Sequence, residues 1–485
     1  MLGLGVDESY EVVVSRLLSW GYLDHPPLSF WMARVVADLA HSENRVLLRL
    51  PFILTFAGTT WLMFKLGARL FGERAGMYAA LLLNLAPVFS LSTGGWILPD
   101  GPLDFAMVAT ALLLVPILVE NDEAHAWKWW LAAGVMTGVA MLSKYHSAFL
   151  LLGTVAFVVT RREARKWLAR PHAYAAVLIA FAFFAPVVIW NAHHGWVSFR
   201  FQGARAEPTH GHHLQSLLQN LAGQAGYLLP WIWVPLVIAL YRGLRTGPRD
   251  AGRWLLVCLG AGPVFVFTLV SLGGNPGLPH WPGPGYLLLL PLVGDAAARW
   301  EARGTPHRIR MQRWIAAAGV AFVGLTAIAA SDVATGWAAR ARPQWFTRGD
   351  PSLEAYDWAG LRTALAARGL LADTNQVIAA TRWIEGAKIG YAMGPDYPIV
   401  CLSDDPRSFF YLNPPASFIG RDALILVQVP PKGLTRDIVK EYAPYFASIV
   451  PAGMVPIERG GRVAFEVAAY RAWDMQKPYP VPLPP

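Results

Sequence analysis

Apolar runs of roughly bilayer length recur through the first 335 residues, and they leave this chain few ways to fold. In hydrocarbon every backbone N–H and C=O must be paired inside the protein, which an α-helix does within its own segment. A spanning helix needs about 20 apolar residues, and shorter runs are accommodated at some cost. On that ruler ten spans are expected, at 46–71, 75–92, 102–119, 127–143, 147–160, 173–190, 216–241, 254–272, 285–298 and 314–334. Composition points the same way. Charged residues are only 15% of the chain and apolar residues 55%, whereas a soluble domain carries about 25% charge. The 21 tryptophans suit the membrane–water boundary, where an indole buries its ring and keeps its N–H wet.

The net charge of +9 comes from basic residues set in short bursts between the apolar runs. This is the pattern of cytoplasmic anchoring, not of a nucleic-acid surface, and no nucleic-acid partner is expected. One set of alternate loops holds Lys65, Arg69 and Arg74, then Lys128, then Arg161, Arg162, Arg165, Lys166 and Arg170. It continues with Arg242, Arg245, Arg249 and Arg253, and with Arg299, Arg303, Arg308, Arg310 and Arg313. The opposite set holds Arg16, Arg34, Arg45, Lys144, Arg200 and Arg205. The richer set is assigned to the cytoplasm. Residues 1–45, the turns near Asp100 and Lys144, the loops 191–215 and 273–284 and the tail then lie outside. An outer N-terminus feeding an inward first span is what a missing upstream helix would leave, and such a helix is expected. The two cysteines, Cys258 in an apolar run and Cys401 in the tail, imply no disulfide framework.

Residues 336–485 change character. Short strands are expected at 377–380, 399–402, 423–429 and 463–469, with helices at 353–370, 382–392 and 433–443. Their alternation predicts a small α/β domain beyond a membrane domain of residues 1–335. With no glycine-rich phosphate fingerprint, the tail is assigned no catalysis.

The outer segment 7–45 carries the densest polar chemistry. Asp7 and Glu8 precede Tyr10, Val13, Val14, Leu17 and Leu18 at helical spacing. Then comes Gly21-Tyr22-Leu23-Asp24-His25-Pro26-Pro27-Leu28, and a second helix with Met32, Val35 and Leu39 on one face. Both helices are expected to lie along the membrane. A carboxylate pair beside a bilayer is solvated, paired or functional; the plain alternative is helix capping.

Lys144, at the outer end of a span, can bring its ammonium to headgroup level, either as an anchor or as a phosphate ligand. Arg200 and Arg205 are second candidates for phosphate, or else part of a solvated loop. Asp100, between Pro99 and Gly101, either caps a helix or orients Lys144 or a sugar, and Asp104 lies one turn deeper. Asp24 and His25, with the His-x-His-His run at 210–213, are candidate ligands for a divalent ion. Tyr22, Tyr145 and Trp281 are expected to line the site.

The Asp7-Glu8 pair followed by Tyr22-x-Asp24-His25-Pro26-Pro27-Leu28 resembles the first outer loop of the GT-C glycosyltransferases. More narrowly it is similar to bacterial family-39-type proteins, related to protein O-mannosyltransferases and to the lipid A aminoarabinose transferase. Leu98-Pro99-Asp100-Gly101-Pro102-Leu103, Ser143-Lys144-Tyr145-His146 and the stretch from Asn275-Pro276 to Pro279-His280-Trp281-Pro282 resemble such members too, which adds His280 to the substrate-binding candidates. Ser29-Phe30 stands where mannosyltransferases have Gly-Lys, and His25 where the aminoarabinose enzymes have Lys, so the donor sugar does not carry over.

The resemblance implies an inverting glycosyltransferase in the bacterial inner membrane, with its active site and tail periplasmic. It would move a sugar from a polyprenyl-phosphate donor to a hydroxyl of a lipid, glycan or protein. Asp7 matches the general base, with Glu8 as its neighbour, and cations would steady the departing phosphate. The competing expectation is a transporter or flippase of lipid-linked sugar. It would show a repeated half and polar groups along a path, and neither is evident.

Overall fold

The computed structural model describes residues 2–205, 213–274, 277–347, 349–371 and 376–480. The chain forms two compact units: Met1–Ser19 with Phe30–Leu48 and Gly324–Pro485, and Trp20–Ser29 with Arg49–Val323.

The second unit is helical. Helices Arg45–Phe71, Asp100–Leu118, Pro171–His193, Ala251–Gly273 and Thr305–Thr335 are long and apolar enough to cross a bilayer, a multi-pass membrane fold. Five of the expected spans are not among these, and of them the run 127–143 forms the 18-residue helix Ala126–Ser143. The run 75–92 becomes helix Glu73–Leu85, then Pro87 and a π-helical turn, Val88–Thr93. Pro87 cannot donate to the ladder, and the wider turn takes up the break. The run 147–160 gives an apolar helix of only 13 residues, Ala148–Thr160. The run 216–241 bends by 112° between Leu214–Leu228 and the helix that begins at Pro230. Leu229 sits there at φ 68°, before Pro230. Backbone broken at this depth is tolerated where protein covers it, and here the covering is polar and paired. Tyr286 donates to Gln224 Oε1 (2.7 Å), Gln224 donates to Asn220 Oδ1 (2.6 Å), and Trp233 Nε1 donates to Tyr286 Oη (3.0 Å). The run 285–298 lies within helix Gly283–Glu301, which is almost wholly buried.

Asp100–Leu118 is the central helix, buried along most of its length. Its Leu103, Met107 and Leu114 join Phe89, Trp130, Trp167, Leu236 and Leu288 in one core. Lipid is as apolar as leucine, so helix association here rests on close contact. A Cβ on Gly294 would fall 2.3 Å from the Ala75 carbonyl oxygen, and one on Gly285 2.4 Å from that of Gly260. Only glycine permits either crossing.

The first unit holds a five-stranded sheet: β1 (Val377–Ala380), β2 (Ile399–Cys401), β3 (Ala423–Gln428), β4 (Phe446–Arg459) and β5 (Arg462–Met475), in the order β2-β1-β3-β5-β4. β1 runs parallel to β2 and β3, while β5 is antiparallel to β3 and β4. Helix Trp383–Met393 connects β1 to β2. The expected helix 353–370 resolves into a short turn, Pro351–Ala355, and the helix Leu361–Ala367.

The unit also contains helix Val6–Ser15. All of Glu8–Ser15 is buried, and Tyr10 meets Trp383, Phe409 and Phe30 edge to face at 5.6, 5.7 and 6.3 Å. This helix therefore does not continue to Leu17 and Leu18, which are exposed, and protein covers it from Glu8 to Ser15. Arg16 pairs with Glu43 at 2.7 Å and donates to the Gly390 carbonyl. In helix Leu28–Ala40 the face of Val35 and Leu39 is exposed, while Phe30, Ala33 and Ala37 are buried.

Candidate active site

In the helical unit several segments bring polar groups together. Helix Ala126–Ser143 stops because Lys144 turns to extended backbone, φ −157° and ψ 145°, before the tight turn Tyr145–Ser147. Pro99 starts helix Asp100–Leu118 and leaves the Asp100 carboxylate in its first turn, where the helix dipole favours an anion. Lys144 Nζ meets both Asp100 oxygens at 2.8 Å, with the two side chains 8% and 9% exposed. One turn deeper, Asp104 Oδ2 accepts from Thr93 Oγ1 at 2.7 Å, a hydroxyl presented by the π-helical turn.

The 20–29 segment is tied to helix Val197–Ala204. Ser198 Oγ donates to the Tyr22 carbonyl and Gln202 Nε2 to the Asp24 carbonyl, both at 2.6 Å. A further bond from the Tyr22 N–H to the His25 carbonyl (3.3 Å) closes the turn. Tyr145 packs edge to face on Phe199 at 5.6 Å. Arg205 lies over Trp281 at 5.1 Å, Trp281 meets Phe267, and His146 stacks on Phe267 at 4.5 Å. His25 Nδ1 and His146 Nε2 have no hydrogen-bond partner among the described residues.

Burial lowers the His25 imidazole to about 4; Lys144 and Arg205 push the same way, against Asp24 and Asp100. Burial also lowers His280 to about 4, with Lys144 and Arg205 adding and Asp100 opposing. Both rings are therefore neutral at neutral pH, and each offers one N–H and one lone pair. These mutual influences put Lys144, Asp100, His25, His280 and Arg205 in one electrostatic neighbourhood. Such a group can take up an anion of phosphate type. The anion competes with Asp100 for an ammonium already desolvated, and imidazole N–H groups add donors without a further buried charge.

Of the residues singled out in the sequence, this unit brings together Tyr22, Asp24, His25, Asp100, Lys144, Tyr145, Arg205 and His280. Arg200, on the same short helix as Ser198, is exposed. His210 and His212 lie outside the described residues. Among the described residues no group of three or more His, Cys, Asp or Glu side chains is placed to hold a metal ion. His146 and Thr93 join the site although the sequence reading does not single them out. His146 could have been picked out beside Lys144, whereas nothing in the sequence marks Thr93 before the π-helical turn is known.

Asp7 and Glu8 belong to the first unit. Gly5 caps helix Val6–Ser15, and its N–H donates to Glu8 Oε2 at 2.9 Å, so the Glu8 carboxylate, 1% exposed, secures the helix start. Asp7 is exposed. The plain alternative of capping thus describes what Glu8 does, while Asp7 is the member of the pair at the surface.

Residues 24–190 match the family described as dolichyl-phosphate-mannose-protein mannosyltransferase. The lipid A galacturonosyltransferase RgtD of Rhizobium johnstonii is 28% identical over 266 residues, which is 54% of this chain and 54% of that protein. The chain thus matches about half the length of that relative. Among solved structures, ArnT from Cupriavidus metallidurans bound to undecaprenyl phosphate superposes with a TM-score of 0.64 at 16% identity, over 97% of this chain and 94% of that one. The archaeal oligosaccharyltransferase AglB from Archaeoglobus fulgidus, in complex with an inhibitory peptide and a dolichol-phosphate, gives 0.51 at 12%, over 88% and 66%. Identities this low speak to the fold.

Proposed function

We infer that this chain, which belongs by its fold to the GT-C superfamily of glycosyltransferases, transfers a sugar from a polyprenyl-phosphate donor to a hydroxyl acceptor. The observation that carries the reading is the buried Lys144–Asp100 pair with Arg205, His25 and His280 around it. A desolvated ammonium is expensive unless something negative uses it, and the leaving group of this reaction is a lipid phosphate. The undecaprenyl phosphate bound to ArnT and the lipid A substrate in the name of RgtD support the same donor class and favour a lipid acceptor.

The acceptor oxygen attacks the anomeric carbon as the bond from that carbon to the phosphate oxygen breaks. The resemblance offers Asp7 as the group that takes the hydroxyl proton, and in the helical unit Lys144 and Arg205 would meet the charge of a departing phosphate. A single displacement inverts the anomeric carbon. The distribution of Lys and Arg supports a bacterial inner-membrane protein with this chemistry on the periplasmic side.

The reading is tested in proteoliposomes with radiolabelled lipid-linked sugar. Label arriving on an added acceptor supports it. Label moving between leaflets with no acceptor present, and none transferred when acceptor is added, would replace it with a flippase.

A divalent ion is a separate proposal. The described residues offer Asp24 and His25, with His25 Nδ1 unpartnered, so oxygens from substrate would have to complete the site. Transfer measured in EDTA and after adding back Mg²⁺ or Mn²⁺ decides it. Loss and recovery of rate is the expected result, and an unchanged rate in EDTA rejects the ion.

A further inference from the structure

We propose that Lys388 is a positioning residue for the acidic segment: its ammonium grips the Leu4–Gly5 peptide from which the helix carrying Asp7 starts. The inference rests on the reading of Asp7 as the base.

Lys388 lies on helix Trp383–Met393, between β1 and β2, and is 2% exposed. Its Nζ donates to the Leu4 carbonyl and to the Tyr356 carbonyl, each at 2.7 Å. The next atoms along the chain from the Leu4 carbonyl are the Gly5 N–H, which donates to Glu8 Oε2 at 2.9 Å. One peptide plane is therefore held at both edges, by Lys388 on its oxygen and by Glu8 on its nitrogen. Rotating that plane would redirect the first turn of the helix, where Asp7 stands. Gly3 fits the same design: a Cβ there would fall 2.3 Å from Asp357 Cγ, so the backbone leading into Leu4 runs tightly against Asp357.

A lysine is a costly choice for this position if packing were its whole purpose. An apolar side chain of similar volume often stabilises a core as well as a buried ion does. Burial lowers Lys388 to about 8, opposed by Asp357, Glu8, Glu354 and Asp7, so the group is still mainly a cation at pH 7. Charge interaction is reciprocal. The ammonium that Asp7 stabilises also favours ionised Asp7, the form a general base needs. Lys388 thus supplies both direction, through the Leu4 carbonyl, and charge.

The test uses the full-length protein with Lys388→Met, Lys388→Gln and Lys388→Arg, each assayed for transfer across pH. A misplaced base costs up to about 100-fold in rate. Lys388→Met should lower kcat by about tenfold or more, with KM for the lipid-linked donor nearly unchanged. The acid limb of its kcat/KM profile should move to higher pH. Lys388→Gln should show the same limb shift, and Lys388→Arg should keep the limb where it is. A lysine that only stabilises the fold would lower activity in step with the folded fraction and leave the limb in place. That result, or wild-type kcat and profile in Lys388→Met, overturns the proposal. If Lys388→Met does not yield folded protein, the limb positions in Lys388→Gln and Lys388→Arg decide. Asp7→Asn separates the two readings. Transfer retained in Asp7→Asn removes the base assignment itself. Transfer lost there but normal in Lys388→Met removes only the role given to Lys388.

Discussion

Asp7→Asn is expected to reduce sugar transfer by about 10²–10⁴-fold, the usual contribution of a general base, with the protein still folded. The substitution keeps size and some hydrogen bonding but cannot take the acceptor proton. Asp7 is exposed in the first turn of its helix, where a carboxylate contributes about 0.3–1 kcal/mol through the helix dipole. The thermal midpoint in detergent should therefore move by only a few degrees. Glu8→Gln is the contrasting variant. Its carboxylate accepts from Gly5 N–H in a buried setting, so its effect should be felt in the order of the helix start. Paired rate and melting measurements check both expectations. An Asp7→Asn protein that transfers sugar at the wild-type rate would remove Asp7 from the mechanism.

Lys144→Ala should hit fold and activity together, and a second substitution should separate them. Removing the ammonium leaves the Asp100 carboxylate buried and without the cation that holds both its oxygens. Breaking one side of such a pair costs about 3–5 kcal/mol. Replacing both partners, as Lys144→Met with Asp100→Asn, removes both charges and should restore much of the lost stability. Transfer should stay low in the double variant, because the leaving phosphate has lost the ammonium assigned to it, and KM for the donor should rise. Thermal unfolding and donor titration of the single and double variants provide the measurements. A double variant that regains stability and wild-type transfer would show the pair to be structural.

The pair itself was legible in outline. Lys144 at the outer end of one apolar run and Asp100 at the start of another read as partners, because a long cation and a carboxylate at the same depth have few other ways to be satisfied. The neutral imidazoles around them were not legible, because neutrality follows from burial and burial follows from packing. The strands β1, β2 and β3 stood out as short apolar runs and form within a residue of their expected positions. β4 was missed since Pro451, Gly453 and Pro456 interrupt its alternation. It is an edge strand with a register shift between Pro451 and Gly453, the setting in which a strand tolerates proline.

Two larger features depended on contacts between residues far apart in sequence. The periodicity from Tyr10 to Leu18 pointed to a helix lying on a membrane. Its partner is helix Trp383–Met393, with Tyr10 ringed by aromatics and its hydroxyl accepting from the Ser408 N–H. No local pattern encodes a contact across nearly 400 positions. The bend at Leu229 is similar. Pro230 signals a break, but only the hydrogen-bonded set of Asn220, Gln224, Tyr286 and Trp233 shows why the polar residues of that run are buried without penalty.

The most direct test of the central claim is lipid and glycan mass spectrometry of a strain lacking this gene, complemented with either the wild-type or the Asp7→Asn protein. The account predicts that one envelope molecule loses the mass of a single sugar, that the corresponding polyprenyl-phosphate sugar accumulates, and that only the wild-type protein reverses both changes. Envelope molecules with unchanged sugar content in the deletion strain, or full restoration by Asp7→Asn, would contradict it.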